Sequence, residues 1–387
     1  MKIVHIAPNA PYNDYWGYQD NLLPKYHKKL GHDVAVIVPT LTHRDGKVVE
    51  TDCADYVLDD GVRVIRLKIK QYPHRALTNM KARLPVAPYL AQLRPDFIFF
   101  HGLVSDSIYD AIAYKKRINP DCVIVQDNHL DYNIGNTADT WKQKLIRSYY
   151  RYMNKQTVSY VAKVYGVTPW RKTYAEDYFC IPADKTDVLI MGADDEKIDF
   201  ANAEAIRARI RAEHGVGAAD FLVVTGGKLD RKKNVCQLME AVKGQKDMKL
   251  LVFGQVNHEI KAEFDALLQE NRNIIYIGWL DADRVYDYFL AADLVCFPGQ
   301  HSVLWEQACA AKVPCVFKRW EGMEHVNNDG NSAFLKDVSP AGIRSMLLEL
   351  KFTQKYDRML ETARSEKTDI YLYSRIAEKS LECVVDL

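Results

Sequence analysis

Short apolar, β-branched runs alternate with longer helical patterns through this whole chain, and that alternation restricts it to a parallel α/β architecture. Strands buried on both faces read as near-continuous apolar runs, and parallel neighbours need a crossover, usually a helix. Ile3–Ala7, Asp33–Val38, Val62–Leu67, Phe97–His101, Val123–Asp127 and Val164–Val167 are the expected strands of the first half. Between them Tyr18–Leu30, Ser105–Arg117 and Trp141–Ala162 carry helical periodicity, and Gly31-His32 ends the first of these helices. The pattern restarts near Met191-Gly192-Ala193-Asp194 with a charged helix, Ala203–Glu213. Strands are then expected at Phe221–Thr225, Leu250–Phe253, Ile274–Ile277, Leu294–Phe297 and Cys315–Phe317, and the final segment Tyr371–Val385 reads as an amphipathic helix. At 387 residues one ordinary core is too few. The expectation is two Rossmann-like, doubly wound α/β domains facing a central cleft, 1–195 and 196–368.

Charge excludes one class of function. A formal net charge of +1 argues against a dedicated nucleic-acid binder. The eight cysteines form no Cys-x-x-Cys pair, and they read as buried, reduced thiols in a reducing compartment. The start MKIVHIAPNAP reads as a first strand and not a signal peptide, and no run approaches the ~18 apolar residues of a membrane span. A cytoplasmic protein is expected. The basic residues are uneven. Gly61–Pro95 and Thr140–Ala175 each hold eight Lys or Arg and no acid. With Tyr149-Tyr150-Arg151-Tyr152 in the second window, these faces are either plain solvated helix or a peripheral contact with an anionic membrane.

Gly226-Gly227-Lys228-Leu229-Asp230-Arg231-Lys232-Lys233-Asn234 follows a strand and opens a helix. Glycines let backbone N–H groups approach an anion, and Lys228 and Lys233 would neutralise a diphosphate. The alternative is a turn with solvated lysines; a Walker loop it is not, lacking the closing Gly-Lys-Ser/Thr. Glu306 sits among Val303, Leu304, Ala308 and Cys309, where a carboxylate needs partners. It either accepts ribose hydroxyls or is an ion-paired helix residue. His129 ends a strand beside Asp127 and Asp131, at the carboxyl edge where open α/β sheets bind ligands. His101 ends a strand in the same way, and His301 precedes Glu306. No His/Asp/Glu spacing reads as a metal site.

Taken together these segments resemble glycosyltransferase family 4, of the GT-B fold. GGKLDRKKN is similar to its Gly-Arg-Leu-x-x-x-Lys-Gly turn, with Lys228 at the Arg and Lys233 at the Lys position. FGQ at 253–255, YIGWL at 276–280 and ADLVCFPG at 292–299 follow in the family's order, and Glu306-Gln307-Ala308 resembles the end of its Glu-(seven residues)-Glu motif. GMEHVNNDGNSAFL, IMGAD at 190–194 and the closing YLYSRIAEKSLE are similar to further family segments. In the first half Gly17–His32, RPDFIFFHG and VIVQDNHLD resemble it more loosely. One position departs: Pro298 stands where the family has its first Glu, in a loop about four residues shorter than usual.

The resemblance implies a nucleotide-diphosphate sugar as donor and a glycan or lipid-linked acceptor, in surface-polysaccharide synthesis, with retention of configuration. It implies catalytic roles for His129, Lys228, Lys233 and His301. Donor contacts would come from Gly17, Gly227, Gly278, Trp279, Ser302, Val303 and Glu306, and Glu324 would support the loop after Phe317. The C-terminal segment 369–387 would return to the N-terminal domain. No cofactor or obligatory metal is implied, and no nucleic acid. Two alternatives stay open on the same fold: a non-catalytic nucleotide-sugar-binding module, which the lost Glu favours, and a sugar-nucleotide epimerase. A dinucleotide oxidoreductase would need Gly-x-Gly-x-x-Gly after the first strand, which Ile3–Gly17 lacks.

Overall fold

A computed structural model describes residues 1–133 and 140–385. The chain divides into two compact units, one of Met1–Ile190 with the C-terminal segment from Ile376, the other of Met191–Arg375.

The first unit contains β1 (Lys2–Ile6), β2 (Asp33–Pro39), β3 (Leu41–Arg44), β4 (Lys47–Glu50), β5 (Ala54–Val57), β6 (Arg63–Leu67), β7 (Phe97–His101), β8 (Val123–Asn128), β9 (Lys163–Gly166) and β10 (Thr186–Val188). One sheet runs β10-β9-β8-β7-β1-β2-β6-β5. Its neighbours are parallel except β5, which pairs antiparallel with β6. Strand β7 is buried at every residue, which is why FIFFH alternates so little. Ile98, Phe100 and Ile124 on one face pack with Leu103 of the loop after β7 and with Ile108 and Met153 of the helical layer. The strand order reverses between β1 and β7. Chain ends diverge at such a point and leave room for a ligand beyond the carboxyl ends of the strands.

The second unit holds β11 (Phe221–Leu229), β12 (Met248–Val256), β13 (Ile274–Tyr276), β14 (Leu294–Phe297), β15 (Cys315–Lys318) and β16 (Ser332–Leu335). All are parallel, in the order β13-β12-β11-β14-β15-β16, with the reversal between β11 and β14. The fold class read from the sequence is therefore present: both units are doubly wound α/β.

Several local readings need correction. The strand expected at Phe221–Thr225 continues to Leu229, so Gly226–Lys228 belong to β11 and not to a turn. Two strand-end glycines permit this extension. Gly227 lies opposite Gly254 of β12, and a Cβ on Gly254 would sit 1.8 Å from the Gly227 carbonyl oxygen. The helix expected over Trp141–Ala162 ends at Thr157, because Ala162 donates its N–H to Ile124 O and joins the sheet. Among elements that the sequence did not announce are the hairpin β3–β4, the edge strands β5, β10 and β16, and the helices Pro340–Leu350 and Gln354–Arg364. The closing segment is not one helix. Ala193 N–H donates to Tyr371 O and Tyr373 N–H to Ala193 O, which holds Leu372 extended before the helix Tyr373–Ser380. That bridge keeps the chain with the second unit as far as Arg375. Of the cysteines, Cys53 and Cys180 are exposed, since neither the sheet edge beside Ala54 nor the left-handed end of helix Pro169–Phe179 buries its side chain.

The glycine pair gives a stability prediction. Gly254→Ala adds a methyl at φ +118° against backbone and should cost about 3 kcal/mol or more. Gly330→Ala has a similar φ of +99° but nothing within 4 Å, and should cost about 1–2 kcal/mol. Urea unfolding of both variants checks this, and equal losses would show that the β11–β12 approach is not the constraint.

Candidate active site

At the reversal in the second unit, the loop after β14 rests on the turn after β11. Gly299 makes this possible, since a Cβ there would lie 2.3 Å from Lys233 Cα. Gln300 N–H donates to Lys232 O at 2.9 Å, and the Asn234 amide donates to Pro298 O at 2.9 Å. Lys233 Nζ donates to Gln300 O at 2.6 Å and to His301 O at 3.4 Å. Burial lowers the Lys233 pKa, against the opposing pull of Asp230. Lys233 thus uses two of its three donors to hold the loop. Lys228, next to last in β11, is exposed to solvent.

Glu306 lies on the helix Leu304–Ala310 with 0% of its surface exposed. Its Oε1 accepts from His301 Nε2 at 2.8 Å and from His325 Nε2 at 2.7 Å. An ionised carboxylate only accepts, so both imidazoles carry their proton on Nε2. Burial pushes the Glu306 carboxyl up, but the charge and hydrogen bonds of His301 and His325 outweigh it and hold the group at about 2. The other oxygen, Oε2, is buried and has no hydrogen-bond partner among the described residues. Trp305 stacks on Phe317 at 4.6 Å, and His301 meets the Trp305 ring edge-on at 5.2 Å. His325 is held from behind by the Tyr371 hydroxyl, which donates to its carbonyl at 2.6 Å.

The remaining expected residues of this unit fall around the same strand ends. Gly227 lies under Leu304, whose Cδ1 would be 2.9 Å from an added Cβ. Ser302 and Val303 are half-buried and start the Glu306 helix through Ser302 O and Val303 O. Gly278 follows β13 with φ +73°, its carbonyl accepts from Gly254 N–H at 2.6 Å, and Trp279 beside it is 68% exposed. Glu324 is exposed and stands outside the Glu306 cluster; its neighbour His325 is the residue that joins it. The histidine of GMEHV was the available signal, but a separation of nineteen residues from Glu306 has no helical or strand period to read.

Gly17 and His129 belong to the first unit. Asp127, at the end of β8, is 0% exposed. Its Oδ1 accepts from Gly102 N–H at 2.8 Å, and its Oδ2 accepts from His101 Nδ1 at 2.8 Å and His129 Nε2 at 3.2 Å. Burial opposes this charge, yet the two histidines hold the carboxyl well below the usual range. His129 keeps 42% of its side chain exposed. Gly17 is exposed just ahead of the helix Gln19–Lys29, whose Asp20 is raised by burial against the pull of His101 and His129.

Among the described residues His101–Asp127–His129 and His301–Glu306–His325 are close enough to invite a cation. Ligand atoms around a tetrahedral zinc stand about 3.4 Å apart at bonds of ~2.1 Å. Here the nitrogen–oxygen separations are 2.7, 2.8, 2.8 and 3.2 Å, which are hydrogen-bond distances. Both clusters are accordingly hydrogen-bonded charge clusters.

Residues 206–365 match the family model described as Glycosyl transferases group 1, and residues 24–192 match the Glycosyl transferase 4-like domain. No curated protein matches the chain. A solved glycosyltransferase from Rickettsia africae is 16% identical with a TM-score of 0.69, over 100% of this chain and 98% of that one. Alr3699/HepE from Anabaena, in complex with UDP and glucose, is 14% identical with a TM-score of 0.65 over 100% of both chains. The UDP-GlcNAc 2-epimerase from Neisseria meningitidis, bound to UDP-GlcNAc, is also 14% identical, with a TM-score of 0.62 over 100% of both chains. Likeness at this level is likeness of fold.

The Glu306 cluster predicts a pH dependence. A depressed carboxyl pKa contributes stability above its unfolded value, near 4.5, and loses it as pH falls through the folded value of about 2. Between pH 5 and pH 3 the native protein should therefore lose about 2 kcal/mol that a Glu306→Gln variant does not. Urea midpoints of the two proteins at both pH values provide the check.

Proposed function

The chain belongs to the family 4-like glycosyltransferases of the GT-B fold, and we propose that it moves a sugar from a nucleotide-diphosphate donor to a glycan or lipid-linked acceptor in surface-polysaccharide synthesis. The observation that carries the donor half of this reading is Glu306 Oε2. A buried carboxylate oxygen without a partner is costly, and a pair of ribose hydroxyls would supply the missing donors. It lies where the strand order reverses, beside the glycines of β11.

On this reading Glu306 takes the ribose, and His301 and His325 position it. Lys228 meets the diphosphate with its exposed ammonium, while Lys233 holds the loop and adds positive charge. Charge builds on the departing diphosphate, so these lysines stabilise the transition state more than the ground state. Gly278 and Trp279 face the base. His129, on the first unit, takes a hydroxyl of the transferred sugar. Retention needs no protein nucleophile here, and Pro298 offers none.

Incubation with UDP-, GDP-, ADP- and CMP-sugars, with products analysed, tests the reading. Transfer to an acceptor supports it; an isomerised sugar nucleotide would make the protein an epimerase, and binding without turnover a module. Glu306→Gln should weaken nucleoside diphosphate binding roughly 10–100-fold, because hydrogen bonds to a charge contribute about 1.5–3 kcal/mol. Lys228→Ala should lower turnover with folding stability unchanged.

An anionic membrane is the surface we propose for a lipid-linked acceptor. The helix Trp141–Thr157 exposes Trp141, Leu145 and Tyr152 together with Lys142 and Lys155, and has no acid. Arg147 and Arg151 are not free for this role: Arg147 lies over Tyr178, and Arg151 donates to the carbonyls of Tyr178 and Asp177. Co-sedimentation with vesicles should rise with anionic lipid and fall with salt. Trp141→Ala with Lys142→Glu and Lys155→Glu should abolish it. Binding indifferent to lipid charge would contradict the proposal.

A further inference from the structure

An unbroken line of polar contacts crosses the interior of the first unit from Asp127 to the C-terminal helix. His101 Nδ1 meets Asp127 Oδ2 at 2.8 Å, and His101 Nε2 meets His5 Nδ1 at 3.1 Å. His5 Nε2 meets His27 Nδ1 at 3.0 Å, and His27 Nε2 meets Ser380 Oγ at 2.8 Å. Ser380 Oγ also stands 2.8 Å from the carbonyl oxygen of Ala377. His5, His27 and Ser380 are 0% exposed. Phe99 lies against His5 and His101, and Phe97 meets His27 edge-on, so aromatic rings wall the line.

Proton counting makes this line a two-state element. An ionised Asp127 accepts only, and so does the Ala377 carbonyl. Five gaps separate these two acceptors, and each needs one hydrogen. Three neutral imidazoles and one hydroxyl supply four. In the neutral arrangement every ring donates toward Asp127, and Ser380 turns its hydroxyl from Ala377 to His27. With one proton added from solvent, Ser380 donates to Ala377 and His27 Nε2 donates to Ser380. His5 Nε2 then donates to His27, His101 Nε2 donates to His5, and His101 is an imidazolium paired with Asp127.

We propose that His101, His5 and His27 are positioning residues, forming one proton-ordered wire that couples the Ser380 hydroxyl to the charge shared by Asp127 and His129. The charge of the protonated state belongs on His101. Burial drives His5 well below its ordinary pKa, with His27 and His101 adding to the effect, and burial lowers His27 to about 3, with His32 and His101 adding and the Ala377 carbonyl opposing. The other groups facing the site end are Asp20 and Gln19 on the helix Gln19–Lys29, and His129 after β8. When His101 is charged, the Asp127 oxygen that both rings share accepts less strongly from His129 Nε2, which alters how the His129 ring meets a hydroxyl of the donor sugar. Only this last consequence rests on assigning His129 to the donor sugar.

Histidine-selective ¹⁵N NMR on the full chain, without ligand, tests the wire. Between pH 6 and 8 His5 and His27 should be neutral and should carry their protons in the same sense. Ser380→Ala removes the donor to His27 in the neutral arrangement, whereas in the proton-loaded one His27 still faces the Ala377 carbonyl, so the proton-loaded arrangement, read as Nε2 protonation of His27, should be about tenfold more populated at a given pH. Ser380→Thr should restore the native population. Rings ordered in opposite senses in the native protein, or an unchanged population of the proton-loaded arrangement in folded Ser380→Ala, would overturn the proposal. The tautomers are read without any substitution, so a variant that fails to fold leaves a decisive measurement. Failure of the donor reading would appear instead as no transfer from any nucleotide sugar, with the tautomer result standing.

Discussion

In each unit a carboxylate with no exposed surface is held ionised by two imidazoles on a single carboxylate oxygen. Asp127 receives His101 and His129, and Glu306 receives His301 and His325. An isolated buried charge is expensive, and neighbouring structure must supply donors that water would otherwise supply. This requirement explains placements that look arbitrary one by one. His101 ends β7 next to β8, the short loop after β14 carries His301 back over Glu306, and the turn Glu324–Val326 brings His325 to the same oxygen.

The two carboxylates differ in what is left over. Asp127 has both oxygens engaged, because Gly102 takes the second. Glu306 keeps Oε2 without a partner among the described residues. A fully satisfied buried group rigidifies its surroundings, whereas a half-satisfied one is an invitation to a ligand with donors to give. The carboxylate of the first unit thus holds His101 and His129 in place through one oxygen and Gly102 through the other, while that of the second leaves one oxygen open.

Backbone packing sets the same sites. Gly254 against Gly227, and Gly299 against Lys233, let chain segments approach closer than any side chain allows. These contacts bring the turn after β11, the loop after β14 and the Glu306 helix into one cluster. Lys233 is drawn into that cluster, so its charge supports the loop and lies beside the site at once.

The sequence by itself determined the class of fold and the positions of most strands, because buried parallel strands need uninterrupted apolar runs and helices need their own period. Phe97–His101 and Leu294–Phe297 were legible to the residue for that reason. It also marked Glu306 as a carboxylate in need of partners. It did not say which partners. The acid-free windows looked like open basic faces, yet Arg66 pairs with Asp14, Lys81 with Asp106 and Arg171 with Asp131, all from distant segments. His325 and the His5–His27–Ser380 line were equally silent. Local pattern records which face of an element is apolar, but a hydrogen bond between residues hundreds of positions apart exists only once strand order has placed their elements side by side. Tertiary structure alone made that decision.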